Sequence, residues 1–120
     1  MDFLEAKALA ASRVTVYKRE EIRLNGGEKT AQSILSYLES KCDFVYLHVD
    51  LDVVDSSVFS AAGLPVPDGL LKEEFLSITR GLSKSGKLYG LGLMSFDASR
   101  DVGGSQARKL VGLVAEAFGE

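Results

Sequence analysis

Cysteine is nearly absent from this 120-residue chain, in which Cys42 is the only one. A single cysteine excludes an internal disulfide framework, so we expect a reducing, cytoplasmic setting. Basic residues are not in excess either, because 14 Lys and Arg stand against 17 Asp and Glu, for a formal net charge of -3. This balance provides no positive field for a phosphate backbone, and nucleic acid is therefore not an expected partner.

Long apolar runs are also lacking. No stretch approaches the ~20 apolar residues that cross a bilayer. Asp2, Glu5 and Lys7 interrupt the first ten residues, where a secretory signal would have an apolar core. No membrane association is expected. The composition, 46% hydrophobic and 26% charged, is typical of a globular protein, and the length predicts one domain or a fragment of one over residues 1–120.

Helical and strand patterns alternate along the chain. Three segments place apolar residues at helical spacing, which predicts helices at 31–38, 71–82 and 107–118. Three others have strand-like runs, which predict strands at 13–17, 43–51 and 87–94. Strands joined by crossover helices pair in parallel. The pattern therefore predicts a three-layer α/β/α fold with a parallel sheet, whose middle strand is buried on both faces. Three strands leave an edge unpaired, which predicts a missing partner segment or self-association.

Acidic residues cluster where the middle strand ends. Strand alternation places His48, Asp50 and Asp52 on one face, at the carboxyl end of a parallel strand where α/β proteins bind ligands. Two close carboxylates favour a hard divalent cation such as Mg, Ca or Mn. The alternative is that Asp52 and Asp55 cap the following loop by accepting backbone N–H bonds. His48 is interpreted as a hydrogen-bonded core residue.

The same stretch carries a family resemblance. VYLHVDLDVVDSS followed by AAGLPVPDGL resembles the late motif of the ureohydrolases (arginase, agmatinase, formimidoylglutamase), in which an apolar strand leads into D-x-D-x-x-D-P and a loop ending P-x-P-G-G. Glu74, the strand 87–94, the loop 95–101 and the helix 105–118 look like the parts that follow in the family. The resemblance covers roughly residues 13–118 and implies half of an arginase-like doubly wound fold.

The resemblance implies a function as well. Family members hydrolyse C–N bonds in linear amidines or guanidines with a pair of Mn ions, which lower the pKa of a bridging water to give hydroxide near neutral pH. Asp50 and Asp52 match the last two metal ligands of the family motif. Asp55 matches its third acid, for which a loop-structuring role is expected. Ser95 matches the Glu that commonly binds the substrate.

Several positions depart from the family pattern. The motifs G-G-D-H and D-A-H-x-D, which supply most of the metal ligands, do not occur in the sequence. The chain is therefore expected to provide only part of the binuclear site, with a missing N-terminal half or a second copy as partner. Ser56 replaces the motif proline, and the neutral Ser95 argues against arginine or agmatine as the small-molecule substrate.

Two other interpretations remain open. In a haloacid-dehalogenase-like phosphatase, Asp50 would be the nucleophile and Asp52 the general acid, with Asp97 and Asp101 as a later acidic pair. Alternatively, the chain is a catalytically inactive ureohydrolase-like fragment or interaction module.

Overall fold

A computed structural model describes residues 2–119, so the ends of the predicted domain, residues 1 and 120, lie outside the described residues. The regular elements are α1 (Phe3–Ala11), α2 (Arg19–Asn25), α3 (Gly27–Leu38), β1 (Val45–Asp50), α4 (Lys72–Lys84), β2 (Leu88–Met94) and α5 (Ser105–Phe118). Within this part of the chain, no helix is long and apolar enough to cross a membrane.

Strands β1 and β2 pair in parallel, with α4 in the connection between them. Tyr46 is opposite Gly90 in the register and Asp50 is opposite Met94, so both strands end at the same edge of the sheet. The bounds lie within the predicted strands 43–51 and 87–94. The prediction of an α/β fold with a parallel sheet is confirmed.

The predicted strand at 13–17 is wrong. Residues 14–18 have no regular structure, and Val14 and Val16 are exposed. An extended segment becomes a strand only when a neighbour accepts and donates its ladder hydrogen bonds, and among residues 2–119 the sheet contains β1 and β2 alone. Each strand consequently has one edge without a partner strand in the part of the protein that the structure describes.

The core lies between one face of this sheet and two helices. Val49 from β1 packs with Phe75 and Leu76 from α4 and with Leu113 from α5. Helix α4 also packs against α3, and the two approach closely at Gly81. A Cβ there would lie 2.6 Å from the Cβ of Ala31, so only glycine fits without a shift of one helix.

The opposite face of β1 is exposed. Tyr46, His48 and Asp50 all lie on it, and the Tyr46 ring covers the space that side chains at Gly90 and Gly92 would occupy. The prediction that β1 is buried on both faces is therefore wrong for this chain. The apolar inner positions of the strand are covered, but no element among the described residues packs on the outer ones.

Candidate metal and substrate site

The carboxyl ends of β1 and β2 bring three of the predicted site residues together. β1 ends at Asp50, and Asp52 follows in a single 3-10 turn, Leu51–Val53. β2 ends at Met94, which is opposite Asp50 in the register, so Ser95 lies just beyond the same edge. The position is the one at which a parallel sheet binds ligands.

Asp50 is held in its ionised form by its surroundings. One of its oxygens, Oδ1, accepts the backbone N–H of Asp52 at 3.0 Å. This bond is the main cause of a lowered pKa for the Asp50 carboxyl, and the Ser95 hydroxyl and the charge of His48 act in the same direction against the opposing effect of burial. An ionised carboxylate is the form that binds a cation.

Asp52 is held by the long loop that follows it. Its Oδ1 accepts the backbone N–H of Leu64 at 2.9 Å, and the side chain is half-buried. The strand ends at Asp50, so the argument that alternation along one strand aligns Asp50 with Asp52 does not hold. Their proximity comes instead from the 3-10 turn, in which Asp50 accepts the N–H of Asp52.

The donor chemistry of the two aspartates fits a hard divalent ion. In each of them Oδ1 accepts a backbone N–H, whereas Oδ2 has no backbone hydrogen bond among residues 2–119, and carboxylate oxygens are the ligands that Mn and Mg prefer. The number of donors is small, because the described residues contain no group of three or more His, Cys, Asp or Glu side chains placed to hold a metal. At this edge the described residues therefore offer two carboxylate donors, which suit a hard divalent ion in kind but are few in number.

Asp55 makes its hydrogen bonds within the loop. Its Oδ1 accepts the N–H and the hydroxyl of Ser57, and its Oδ2 accepts the N–H of Gly69 at 3.1 Å. The bonds from Ser57 are the main cause of the lowered pKa of Asp55. The side chain thus joins the two ends of the 55–69 segment and has no contact with Asp50 or Asp52 among these bonds.

Ser95 occupies a constrained position. Its φ angle is +70°, which is uncommon for a residue with a Cβ, and its carbonyl accepts the N–H of Gly63 at 2.8 Å. Together with the bond from the N–H of Asp97 to the carbonyl of Ala61 at 2.7 Å, this contact joins the loop after β2 to the loop after β1. A non-glycine residue in this conformation next to Asp50 indicates a local geometry that the surrounding contacts impose.

His48 is not a core residue, contrary to the sequence interpretation. It is exposed on the open face of β1, two positions before Asp50. A histidine at this point of a strand would be buried only if a layer covered that face, and none of the described elements does. The nearby charge of His48 contributes to the low pKa of Asp50.

The two later acids, Asp97 and Asp101, bond to their own loop and helix. Asp97 accepts bonds from Ser99 and Arg100, and Asp101 accepts the N–H groups of Gln106 and Ala107 at the start of α5. Each has a local structural explanation.

The sequence interpretation missed two arginines on α2 that contact the site loop. Arg19 donates to the carbonyl of Asp68 at 2.6 Å. Arg23, on α2, forms an ion pair with Glu74 at 2.8 Å and donates a second bond to the carbonyl of Gly69 at 3.3 Å. For the Arg23 contact the sequence offered only one signal, Glu74 in the first turn of a helix. Helix α2 itself was not recognised, because it has seven residues and buries Ile22 alone.

Comparison with known proteins places this geometry in a family context. A family model described as the arginase family matches residues 2–119. Formimidoylglutamase from Bacillus subtilis is 30% identical over 90 residues, and human arginase-1 is 34% identical over 87 residues, covering 73% and 72% of this chain. Among solved structures, arginase from Bacillus caldovelox superposes with a TM-score of 0.89 at 25% identity over 99% of this chain.

The chain spans well under half the length of these relatives. It corresponds to 28% of the B. subtilis formimidoylglutamase, 27% of human arginase-1 and 40% of the B. caldovelox arginase chain. The predicted likeness to part of an arginase-like doubly wound fold is confirmed by this superposition.

Proposed function

Because the chain belongs to the arginase family, we propose that it is part of a ureohydrolase that hydrolyses C–N bonds in linear amidines or guanidines. The observation that supports this function is the pair of carboxylates at the carboxyl end of β1. One oxygen of each of Asp50 and Asp52 accepts a backbone N–H, the other has no backbone hydrogen bond among the described residues, and the Ser95 hydroxyl bonds to Asp50. The family relationship does not favour the phosphatase interpretation.

In this proposal, Asp50 and Asp52 are ligands of a manganese pair. When bound, such a pair supplies Lewis-acid activation of a water nucleophile near neutral pH. The chain itself keeps Asp50 ionised, because the N–H of Asp52 bonds to the carboxylate and lowers its pKa. It also orients Asp52 through the N–H of Leu64. Asp55 has a loop-structuring role, since its bonds to Ser57 and Gly69 stabilise the loop that presents Leu64.

Ser95 is the proposed substrate-binding residue of this segment. Its hydroxyl hydrogen-bonds to Asp50, and its carbonyl accepts the N–H of Gly63. Ser95 therefore lies where a substrate would approach the carboxylates. A neutral hydroxyl accepts a hydrogen bond from a cationic substrate but cannot form the ion pair that a carboxylate would form with it. The proposed substrate is therefore a small amidine or guanidine other than arginine or agmatine.

The remaining metal ligands belong, in this proposal, to a separate segment that carries the G-G-D-H and D-A-H-x-D motifs or to a second copy of the chain. In the described part of the chain β1 and β2 each have an unpaired edge, which supports such a partner because unpaired edges bind further strands. We also propose a cytoplasmic location, which the single cysteine supports.

A complementation assay tests the function. The chain is mixed with a segment of a family member that contains both missing motifs, and hydrolysis of a panel of guanidines and amidines is followed with added Mn²⁺. The mixture should hydrolyse at least one substrate, and Asp50→Asn should abolish that activity. Asp43→Asn is the matched control, since Asp43 is exposed at the opposite end of β1. Activity that survives both Asp50→Asn and Asp52→Asn would contradict the proposal.

A further inference from the structure

Arg23 and Glu74 form a two-point ion pair between α2 and the first turn of α4. The Nε atom of Arg23 donates to Oε1 of Glu74 at 2.8 Å and Nη2 donates to Oε2 at 3.3 Å. The Glu74 side chain is only 13% exposed, whereas that of Arg23 is 43% exposed. The planar guanidinium matches a carboxylate in this way, and a lysine could replace its charge but not its geometry.

The same guanidinium also holds the loop between β1 and α4. Nη2 of Arg23 donates to the carbonyl of Gly69 at 3.3 Å, and Oε2 of Glu74 accepts the N–H of Leu71 at 2.8 Å. The loop cannot shift freely here, because a Cβ on Gly69 would lie 2.5 Å from the backbone nitrogen of Asp55. Arg23 thus bonds to the end of the loop where Gly69 packs closely against the backbone of Asp55.

This end of the loop is hydrogen-bonded to the residues that follow Asp52. Leu70 donates to the carbonyl of Val53 and accepts from the N–H of Asp55, both at 2.9 Å. The middle of the loop donates the N–H of Leu64 to Asp52 at 2.9 Å. Hydrogen bonds therefore connect the guanidinium to the backbone that follows Asp52, and the chain from Gly69 back to Leu64 connects it to the N–H that bonds the Asp52 carboxylate.

We propose that Arg23 is a positioning residue for the metal half-site, which fixes the 53–71 loop through Glu74 and Gly69 so that Asp52 keeps its orientation. The inference rests on the proposed function in naming manganese as the ion that Asp52 holds. Arg23 itself does not contact the ion or the substrate in this account. Its effect passes through the loop backbone and the Leu64 N–H.

The alternative is an ion pair that stabilises the fold without affecting the site. A half-exposed pair of this kind contributes little to the free energy of unfolding, so stability alone cannot separate the two roles. Arg80 provides a matched control. It also lies on a helix, is 40% exposed, pairs with Glu116 and donates to the Glu116 carbonyl at 3.0 Å. These bonds join α4 to α5, and none of its bonds to the described residues reaches the loop.

The test uses the full chain and the variants Arg23→Gln, Arg23→Lys and Arg80→Gln. Amide hydrogen exchange at Leu64 and Leu70 reports the loop, and line broadening of the Asp50 and Asp52 amides by Mn²⁺ alone reports binding. Arg23→Gln should speed exchange at Leu64 and weaken Mn²⁺ binding, each by about tenfold, the lower end of the effect of residues that orient metal ligands.

Arg23→Lys should give intermediate values, and it remains informative if Arg23→Gln does not fold. Arg80→Gln should change neither quantity. The proposal is overturned if Arg23→Gln and Arg80→Gln have equal effects, or if Leu64 exchange is unchanged in the Arg23 variants. A wild-type chain without Mn²⁺ broadening at Asp50 and Asp52 would overturn the metal assignment instead, while exchange at Leu64 would still decide the role of Arg23.

Discussion

Replacing Val49 by Asp tests whether the inner face of β1 is the centre of the core. Val49 is 5% exposed and packs in one cluster with Phe75, Leu76 and Leu113. The substitution removes a buried valine, worth ~1.5 to 3 kcal/mol. It also buries a carboxylate without a partner, at a cost of several kcal/mol more. The sum is a large part of the ~5 to 15 kcal/mol that stabilises a domain.

Thermal unfolding followed by circular dichroism measures the effect. Val49→Asp should abolish the cooperative transition or lower its midpoint by more than about 10 °C, since each kcal/mol corresponds to several degrees at this size. Val111→Asp is the matched control, because Val111 is 69% exposed on α5 and the same change there should cost under about 0.5 kcal/mol. A midpoint shift of less than about 2 °C for Val49→Asp would refute the placement of this strand.

Three further predictions concern the loop, acid stability and association. The bonds from Arg23 lower the pKa of Glu74 below its ordinary value of 4.5. The ionised Glu74 therefore stabilises the folded state fully above pH 4.5, and this contribution is lost as the pH falls through the lowered pKa of the folded state. Urea unfolding of Glu74→Gln should therefore lose less free energy on acidification below about pH 5 than the wild type, and equal losses would contradict the pairing. Gly69→Ala should destabilise the fold, because the added Cβ would lie 2.5 Å from the backbone nitrogen of Asp55. Gly112→Ala, in open space on α5, should stabilise the fold by ~0.5 to 1 kcal/mol in the same assay. A Gly69→Ala variant more stable than Gly112→Ala would be inconsistent with the loop packing. Light scattering should show a dimer or larger species because both edges of the sheet are unpaired within residues 2–119, and a clean 12.9 kDa monomer that unfolds cooperatively would exclude this.

The elements that the sequence predicted correctly are those with a local pattern that tertiary packing also uses. The apolar pattern at 107–118 correctly predicted helix α5, but not which residues it buries. Leu113 and Ala117 enter the core, whereas Val111, one of the apolar residues expected on the buried side, is 69% exposed. The segment RVTVY failed for the opposite reason. Val14 and Val16 have the composition of a strand, but strand formation depends on a neighbour elsewhere in the structure.

In the candidate site, too, the local features were predicted from the sequence and those that depend on tertiary packing were not. Strand periodicity and the position of Asp50 at the end of β1 were readable from the sequence, whereas the turn that holds Asp52 and the exposure of His48 depend on what packs around them. The Arg23 contact to Glu74 joins residues 51 positions apart. No periodic pattern links such distant residues, so only the folded chain reveals their pairing.

Calorimetric titration with Mn²⁺, on the chain alone and with a segment that bears the missing ligand motifs, tests whether Asp50 and Asp52 form part of a manganese site. Manganese takes about six mostly oxygen or imidazole donors, and Asp50 with Asp52 supplies at most about four oxygens for two ions. The chain alone should therefore bind with about millimolar affinity, ~4 kcal/mol. The added segment should raise the affinity by orders of magnitude, and Asp50→Asn should remove that gain. Micromolar binding by the isolated chain that survives both Asp50→Asn and Asp52→Asn would contradict the account.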